Sequence, residues 1–163
     1  MQLPVSQAVR LIHIGLVCRS MDETRPKLEA LLGVRWAGGE PDPWDLVVFG
    51  ERRQFDMRIA HGHAAPTHYE LIEAVADTPW QLDGEVALHH LCFYSPSSVE
   101  TCLQLEAQGY HRVLGTSGDK FGYFKDPSGL LIEIIDDGLL GYLDGFYAIS
   151  KVAQQAAGEE GHV

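Results

Sequence analysis

RLIHIGLVC, residues 10–18, is an apolar, β-branched run with an imidazole at its centre, and ALHHLCFY, residues 87–94, restates it in the second half of the chain. A run of this kind, bounded by polar residues, reads as a buried strand. An internal repeat is the feature to establish before local structure is assigned. Outward from the first copy, Ser20 with Glu23 three residues on has the pattern of a capping box. Leu28, Leu31 and Leu32 mark the apolar face of a helix over 21–32, and Gly33 stops it. Strands are expected at 44–49, 54–60 and 68–75, set off by Gly/Pro clusters and by the short segments ERR and HGHAAPT.

Around the second copy the order recurs. Ser95 caps a helix with Pro96 at its first position, and Gly109 closes it. Strands follow at 110–114, 119–125 and 130–136, with Asp126-Pro127-Ser128-Gly129 as a turn before the last. Each half therefore reads βαβββ, module one over about 10–76 and module two over about 86–137. The stretch from about 138 to 157 carries Leu139, Leu140, Leu143, Phe146, Tyr147 and Ile149 at amphipathic spacing, ahead of a polar, frayed GEEGHV tail.

The fold class is α+β. Neither module alone buries both faces of its sheet, so two copies are expected to pair into a curved, half-open barrel with helices outside and a concave inner face. An ordinary α+β sandwich without a cavity is the alternative. The 163 residues fit one domain of two closely packed modules.

Composition narrows the partners. A formal net charge of −11 argues against nucleic acid or an anionic membrane as the main partner and leaves a small-molecule substrate. No apolar run is long enough to span a bilayer, and the N-terminal stretch, interrupted by Arg10 and His13, is not expected to act as a secretory leader. Cys18, Cys92 and Cys102 are an odd number without a C-x-x-C pair, the pattern of buried thiols in a reducing cytosol, so a cytoplasmic location is expected.

Four polar residues occupy positions where apolar ones belong. His13 and His90 take the same place on the first strand of each half, and Glu70 and Glu133 the same place on the last. Side chains alternate across a strand, so Glu133 shares its face with Leu131 and Ile135. Burying an ionised carboxylate costs several kcal/mol unless it is compensated. A divalent cation compensates two carboxylates and two neutral imidazoles together. Mixed N/O ligation without thiolate suits Zn, Ni, Co, Mn or Fe, and Mg is admissible. Each residue has a plainer reading: a lone strand histidine is usually a satisfied core residue, and Glu73, three positions from Glu70 and on the opposite face, is the member a misaligned strand would exchange with it.

Other residues draw weaker readings. His61, His63 and His68 fall in a segment expected to be a loop with solvated imidazoles, and His89 is expected to face away from His90. Arg58, Lys120 and Tyr123 are candidates for substrate contact, and Asp126 for its turn alone. Trp36, Trp44, Trp80, Phe55 and Tyr123 form either an aromatic groove between subunits or ordinary packing.

HIGLV followed by a helix ending LLGV, then ELIE, HHLCF and FKDPSGLLIEII, resembles the vicinal oxygen chelate superfamily over about residues 10–137. The superfamily includes glyoxalase I, methylmalonyl-CoA epimerase, extradiol dioxygenases, fosfomycin-modifying enzymes and metal-free bleomycin-binding proteins. The resemblance implies paired βαβββ modules, frequently in homodimers, and carries a metal-ligand pattern onto His13, Glu70, His90 and Glu133. That set is most similar to glyoxalase I; epimerases more often have Gln at the place of Glu70.

The function expected is that of a metal-dependent lyase or isomerase that abstracts a proton next to a carbonyl through a metal-stabilised enediolate, with Glu133 or Glu70 as the base. Two alternatives stand beside it. One is a non-haem iron dioxygenase using His13, His90 and Glu133. The other is a metal-free protein that sequesters an antibiotic or another small molecule.

Overall fold

Strand β1 (Arg10–Cys18) is flanked on one side by β4 (Thr67–Glu73), which runs parallel to it, and on the other by β5 (Val86–Tyr94), which runs antiparallel. The same relations hold for β5, which pairs in parallel with β8 (Leu131–Ile135). With β2 (Arg35–Val48), β3 (Glu51–Ala64), β6 (His111–Gly115) and β7 (Phe121–Lys125), the eight strands close in the order β1-β4-β3-β2-β6-β7-β8-β5. Each half thus contributes four strands in one order, and the halves meet at β1/β5 and β2/β6. The second seam is slight, with Val47 opposite Gly115 and Val48 opposite Leu114. The computed structural model describes residues 9–116 and 121–160, with side chains to 156. The N-terminal stretch before residue 9, Lys120 with the start of the strand expected at 119, and the last three residues lie outside that description.

Helix α1 (Met21–Leu32) begins where the sequence places it: the Ser20 side chain accepts from Glu23 N–H, and Gly33 ends the helix in the left-handed region at φ 68°. It buries Met21 against Cys18, Ala60 and Leu71, whereas Leu31, expected on the apolar face, is exposed. Helix α2 (Ser98–Ala107) starts later than expected. Ser95 caps no helix; its hydroxyl accepts from Ser97 N–H and pairs with Thr101, so Ser95-Pro96-Ser97 is a turn leading into the helix. Cys102 and Leu105 of α2 pack on Ile132 and Ile134, the outward residues of β8.

The largest departure concerns β2 and β3, each 14 residues long. The Gly38-Gly39-Glu40-Pro41 segment, expected to separate helix from strand, is a register shift within β2. Gly38 and Gly39 take positive φ, 79° and 102°, so the chain bulges without leaving the sheet. HGHA, expected to be a loop, is the end of β3, with Gly62 opposite Trp36 and His61 opposite both Ala37 and Glu70.

Helix α3 (Asp137–Glu160) packs on β2 and β3 and sends Leu143 and Tyr147 into the barrel core. Ser150 fixes it there, hydrogen-bonded to Arg35 O and accepting from His63 N–H. The remaining core of the barrel is apolar, drawn from Val17, Leu46, Met57, Ile72, Phe121 and Ile135 among others. All three cysteines are free and buried. Among the described residues, no helix is long and apolar enough to cross a membrane.

Candidate metal centre and its cavity

Near the middle of this apolar interior, His13, Glu70, His90 and Glu133 converge, each no more than 6% exposed. The pairing explains how. Across the β1/β5 seam His13 stands opposite Cys92 and Gly15 opposite His90, while Gly15 also faces Glu70 on β4 and Cys92 faces Glu133 on β8. One strand pattern used twice therefore delivers an imidazole and a carboxylate from each half to one point. His13 Nε2 lies 3.2 Å from His90 Nε2, 3.3 Å from Glu133 Oε2 and 3.7 Å from Glu70 Oε2. His90 Nε2 lies 3.2 Å from Glu133 Oε2 and 3.4 Å from Glu70 Oε2.

These separations fit one cation. Four donors at zinc-like bond lengths around a single ion stand roughly 3.0–3.5 Å apart. The Oε2 atoms of Glu70 and Glu133 are both buried and without a hydrogen-bond partner, which is costly for a carboxylate unless something positive meets it. The donor set of two nitrogens and two oxygens is what a borderline divalent metal prefers. This cluster can hold a metal ion.

Electrostatics divide the two carboxylates. Burial raises the proton affinity of Glu70 above the ordinary carboxylate range, against the pull of His13 and with the help of Glu133. Burial acts the same way on Glu133, but the two imidazole nitrogens 3.2–3.3 Å from its Oε2 outweigh it and hold that group below the ordinary carboxylate range. Glu70 is thus the carboxylate that more readily takes a proton.

The outer nitrogens of both imidazoles are also engaged. His89 Nε2–H donates to Pro79 O at 2.7 Å, which leaves His89 Nδ1 to accept from His90 Nδ1–H at 2.9 Å. His89 stays neutral, since burial and the neighbouring His90 lower its pKa to about 4. The chain of bonds fixes the tautomer in which His90 Nε2 offers its lone pair to the cluster. His89 was expected to face away. It does not, because the register shifts between Gly15/His90 and Leu16/Leu88, making His89 the extra residue of a bulge and re-aiming it toward His90. On the other side, Tyr147 Oη lies 2.8 Å from His13 Nδ1. With Nδ1 protonated and donating to Tyr147, His13 Nε2 also turns a lone pair inward.

A cavity of about 360 Å³ leads from solvent to this cluster, with Glu70 and Glu133 in its wall. Tyr123, a sequence candidate for substrate contact, lines it, as do Trp44 and Trp80. Trp36 and Phe55 are not among its lining residues. Arg58 is on the far side of β3, bound to Asp22, Glu73 and Gly39 O, and so does not reach the site. Glu73 faces outward as its spacing implies, half-buried and held by Arg58 and Met21 N–H. Asp126 serves its turn, accepting from Ser128 and Leu130 N–H.

His61 is, with His63 and His68, among the residues the sequence reading left in a solvated loop; the latter two are partly buried on β3 and β4. His61 is buried in the cavity wall, 3.9 Å from Glu70 Oε1, with its ring 5.0 Å from that of Phe146. Burial, then His13, drops its pKa to about 3 and keeps it neutral. The signal was present: Met57, Ile59 and His61 alternate on the inner face.

The chain is thus an eight-stranded barrel of two βαβββ halves with a His/Glu/His/Glu cluster inside it that can hold a metal ion. The family model of the Glyoxalase/Bleomycin resistance protein/Dioxygenase superfamily matches residues 12–123, and the chain belongs to that superfamily. The matched span holds His13, Glu70 and His90, and stops short of Glu133. Among solved structures, a hypothetical protein from Bacillus halodurans C-125 superposes with a TM-score of 0.56 at 20% identity, over 80% of this chain and 96% of that one. Methylmalonyl-CoA epimerase from Mycobacterium tuberculosis superposes with a TM-score of 0.53 at 15% identity, over 77% of this chain and 86% of that one. At such identities the likeness is one of fold. No curated protein matches the chain.

Proposed function

We propose that this chain is a divalent-metal-dependent enzyme of the glyoxalase or epimerase kind, which removes a proton from a carbon next to a carbonyl and returns it nearby. The observation that carries the reading is the pair of buried, unpartnered carboxylate oxygens facing two imidazole nitrogens on the wall of a solvent-connected cavity. His13, Glu70, His90 and Glu133 would hold the ion. When bound, it supplies Lewis acidity that stabilises negative charge developing on a substrate oxygen.

Glu70 acts as the base. Its proton affinity is the higher of the two, and like Glu133 it lies in the cavity wall. Glu133, whose proton affinity the two nearby imidazoles hold low, stays ionised. His61, neutral and beside Glu70, supplies a hydrogen-bonding group to whatever occupies the cavity. The substrate is a small molecule, and a homodimer is the expected assembly. All four ligands nonetheless come from one chain.

The test is calorimetric titration with Zn(II), Ni(II) and Co(II), followed by a substrate screen of methylglyoxal–thiol adducts and 2-methyl thioesters in deuterated water. One equivalent of ion should bind, and turnover should exchange the substrate C–H with solvent. A protein that accepts no divalent ion overturns the reading.

A second reading has a specific observation in its favour. His13, His90 and Glu133 are the tightest three, within 3.2–3.3 Å of one another, while Glu70 stands off by 3.4–3.7 Å. Two histidines and one carboxylate suit Fe(II) and O₂. Oxygen uptake with a catechol after anaerobic Fe(II) loading would reverse the ranking.

A further inference from the structure

The cavity wall carries information about the substrate that the ligand cluster does not. Six aromatic rings line it from separate parts of the chain: Trp44 of β2, Trp80 of the loop after β4, Phe121 and Tyr123 of β7, and Tyr142 and Phe146 of α3. They form edge-to-face pairs, Trp44 with Phe121 at 6.1 Å, Trp80 with Tyr123 at 5.7 Å and Tyr142 with Phe146 at 4.9 Å, leaving faces and edges for a further ring. A volume of about 360 Å³ suits a compact ligand.

Among the described residues, the charged side chains around this space have one sign. Glu40 and Asp42, both exposed, stand at the mouth, and the two cluster carboxylates lie deeper. Among the described residues lining the cavity, none is Lys or Arg. The guanidiniums nearest the Gly38-Gly39 bulge are committed elsewhere: Arg25 donates to Gly38 O and Trp36 O, and Arg58 is bound to Gly39 O, Asp22 and Glu73. A phosphate or carboxylate entering here would meet acids at the rim and, among the described residues, no bidentate cationic side chain of the kind that favours such groups.

We propose that the substrate of this site is an aromatic compound bearing no net negative charge, which presents adjacent oxygens to the cluster without an anionic carrier such as coenzyme A or glutathione. This rests on the metal-centred reading for the oxygens, while the ring and the charge rest on the wall alone. Trp80 and the rings of β7 and α3 enclose the aromatic body; Glu40 and Asp42 repel anions before they reach the barrel.

The metal-free full-length protein tests the wall by itself, through quenching of Trp44 and Trp80 fluorescence. Neutral 2-hydroxyacetophenone is expected to bind at least tenfold more tightly than benzoylformate, which keeps the ring and adds a carboxylate. It should also bind at least tenfold more tightly than hydroxyacetone, which keeps the oxygens and lacks the ring. In E40Q/D42N, two exposed positions outside the cluster, the gap to benzoylformate should narrow at least threefold. Equal or tighter binding of benzoylformate, hydroxyacetone matching the aryl compound, or a gap unchanged in E40Q/D42N would each overturn the proposal. A neutral-aromatic preference that does not respond to added Zn(II) upholds it while overturning the metal-centred reading.

Discussion

Gly15 and His90 are partners across the β1/β5 seam, and a Cβ built on Gly15 would fall 2.0 Å from Cε1 of the His90 ring. The imidazole lies over the bare backbone of the neighbouring strand, and only glycine leaves room for it there. Substituting Gly15→Ala should therefore act on the cluster before it acts on the fold. The ring must move, and with it the Nε2 that stands 3.2 Å from both His13 and Glu133. We expect Zn(II) affinity to fall at least 100-fold in calorimetry, with a stability loss of about 1–3 kcal/mol, the usual cost of overpacking. Wild-type affinity in G15A would show that His90 is not held where the cluster needs it.

His89 controls the same ring from behind. Its Nδ1 accepts from His90, and its own N–H is fixed by Pro79 O, so removing it frees His90 to take the wrong tautomer. Partners of this kind typically contribute 10–100-fold in metal affinity. His89→Phe preserves ring volume and should lose that factor, whereas H89N, which keeps an acceptor, should recover part of it. Equal loss in both variants would assign His89 a packing role only.

The halves of the chain were legible because both are written in the same grammar. LIHIG and LHHLC place imidazoles at one register, and YELIE and LLIEI place carboxylates at another; alternation did the rest. What hid from sequence was every position where the sheet departs from strict alternation. The bulge at His89 re-aims a side chain that period two sends outward, and the Gly38-Gly39 bulge lets β2 run through what reads as a linker. His61 was obscured for a related reason, since its HGHAAP context resembles a loop until Met57 and Ile59 are seen to share its face. Tyr147, from a helix 134 residues along the chain, has no sequence signal connecting it to His13.

Acid should destabilise the protein through its buried imidazoles. Burial first, and a neighbouring imidazole second (His63 for His68, His90 for His89), lower the pKa of both to about 4, against an ordinary value of 6.5. The unfolded chain then binds protons that the folded one refuses, so stability falls as pH drops from about 6.5 toward 4. For the well-buried His89 the full effect is roughly 3 kcal/mol; the half-buried His68 contributes less. Chemical denaturation across that window should show the decline, and His89→Phe should lessen it while His61 and His68 maintain the rest. A profile level from pH 6.5 to 4 in the wild type would contradict the buried, neutral assignment.

Glu70 imposes the opposite slope. Its folded pKa is raised, so the stability it lends is complete below the unfolded carboxylate value near 4.5 and is lost as pH climbs through the higher folded value. Without metal, high pH forces a second negative charge into a cavity wall that already holds ionised Glu133. Glu70→Gln removes that charge and keeps the shape, and should stabilise the metal-free protein above neutral pH by about 1–3 kcal/mol. With metal the order inverts. An ion that binds only the folded chain adds about 2.7 kcal/mol at a hundredfold excess over its Kd; the wild type should gain this at modest Zn(II), and E70Q, left with a neutral and weaker oxygen donor, should gain less. Paired thermal melts at pH 8.5, with and without Zn(II), decide the matter: if E70Q melts no higher than the wild type without metal and rises equally with it, Glu70 is neither a strained carboxylate nor a ligand.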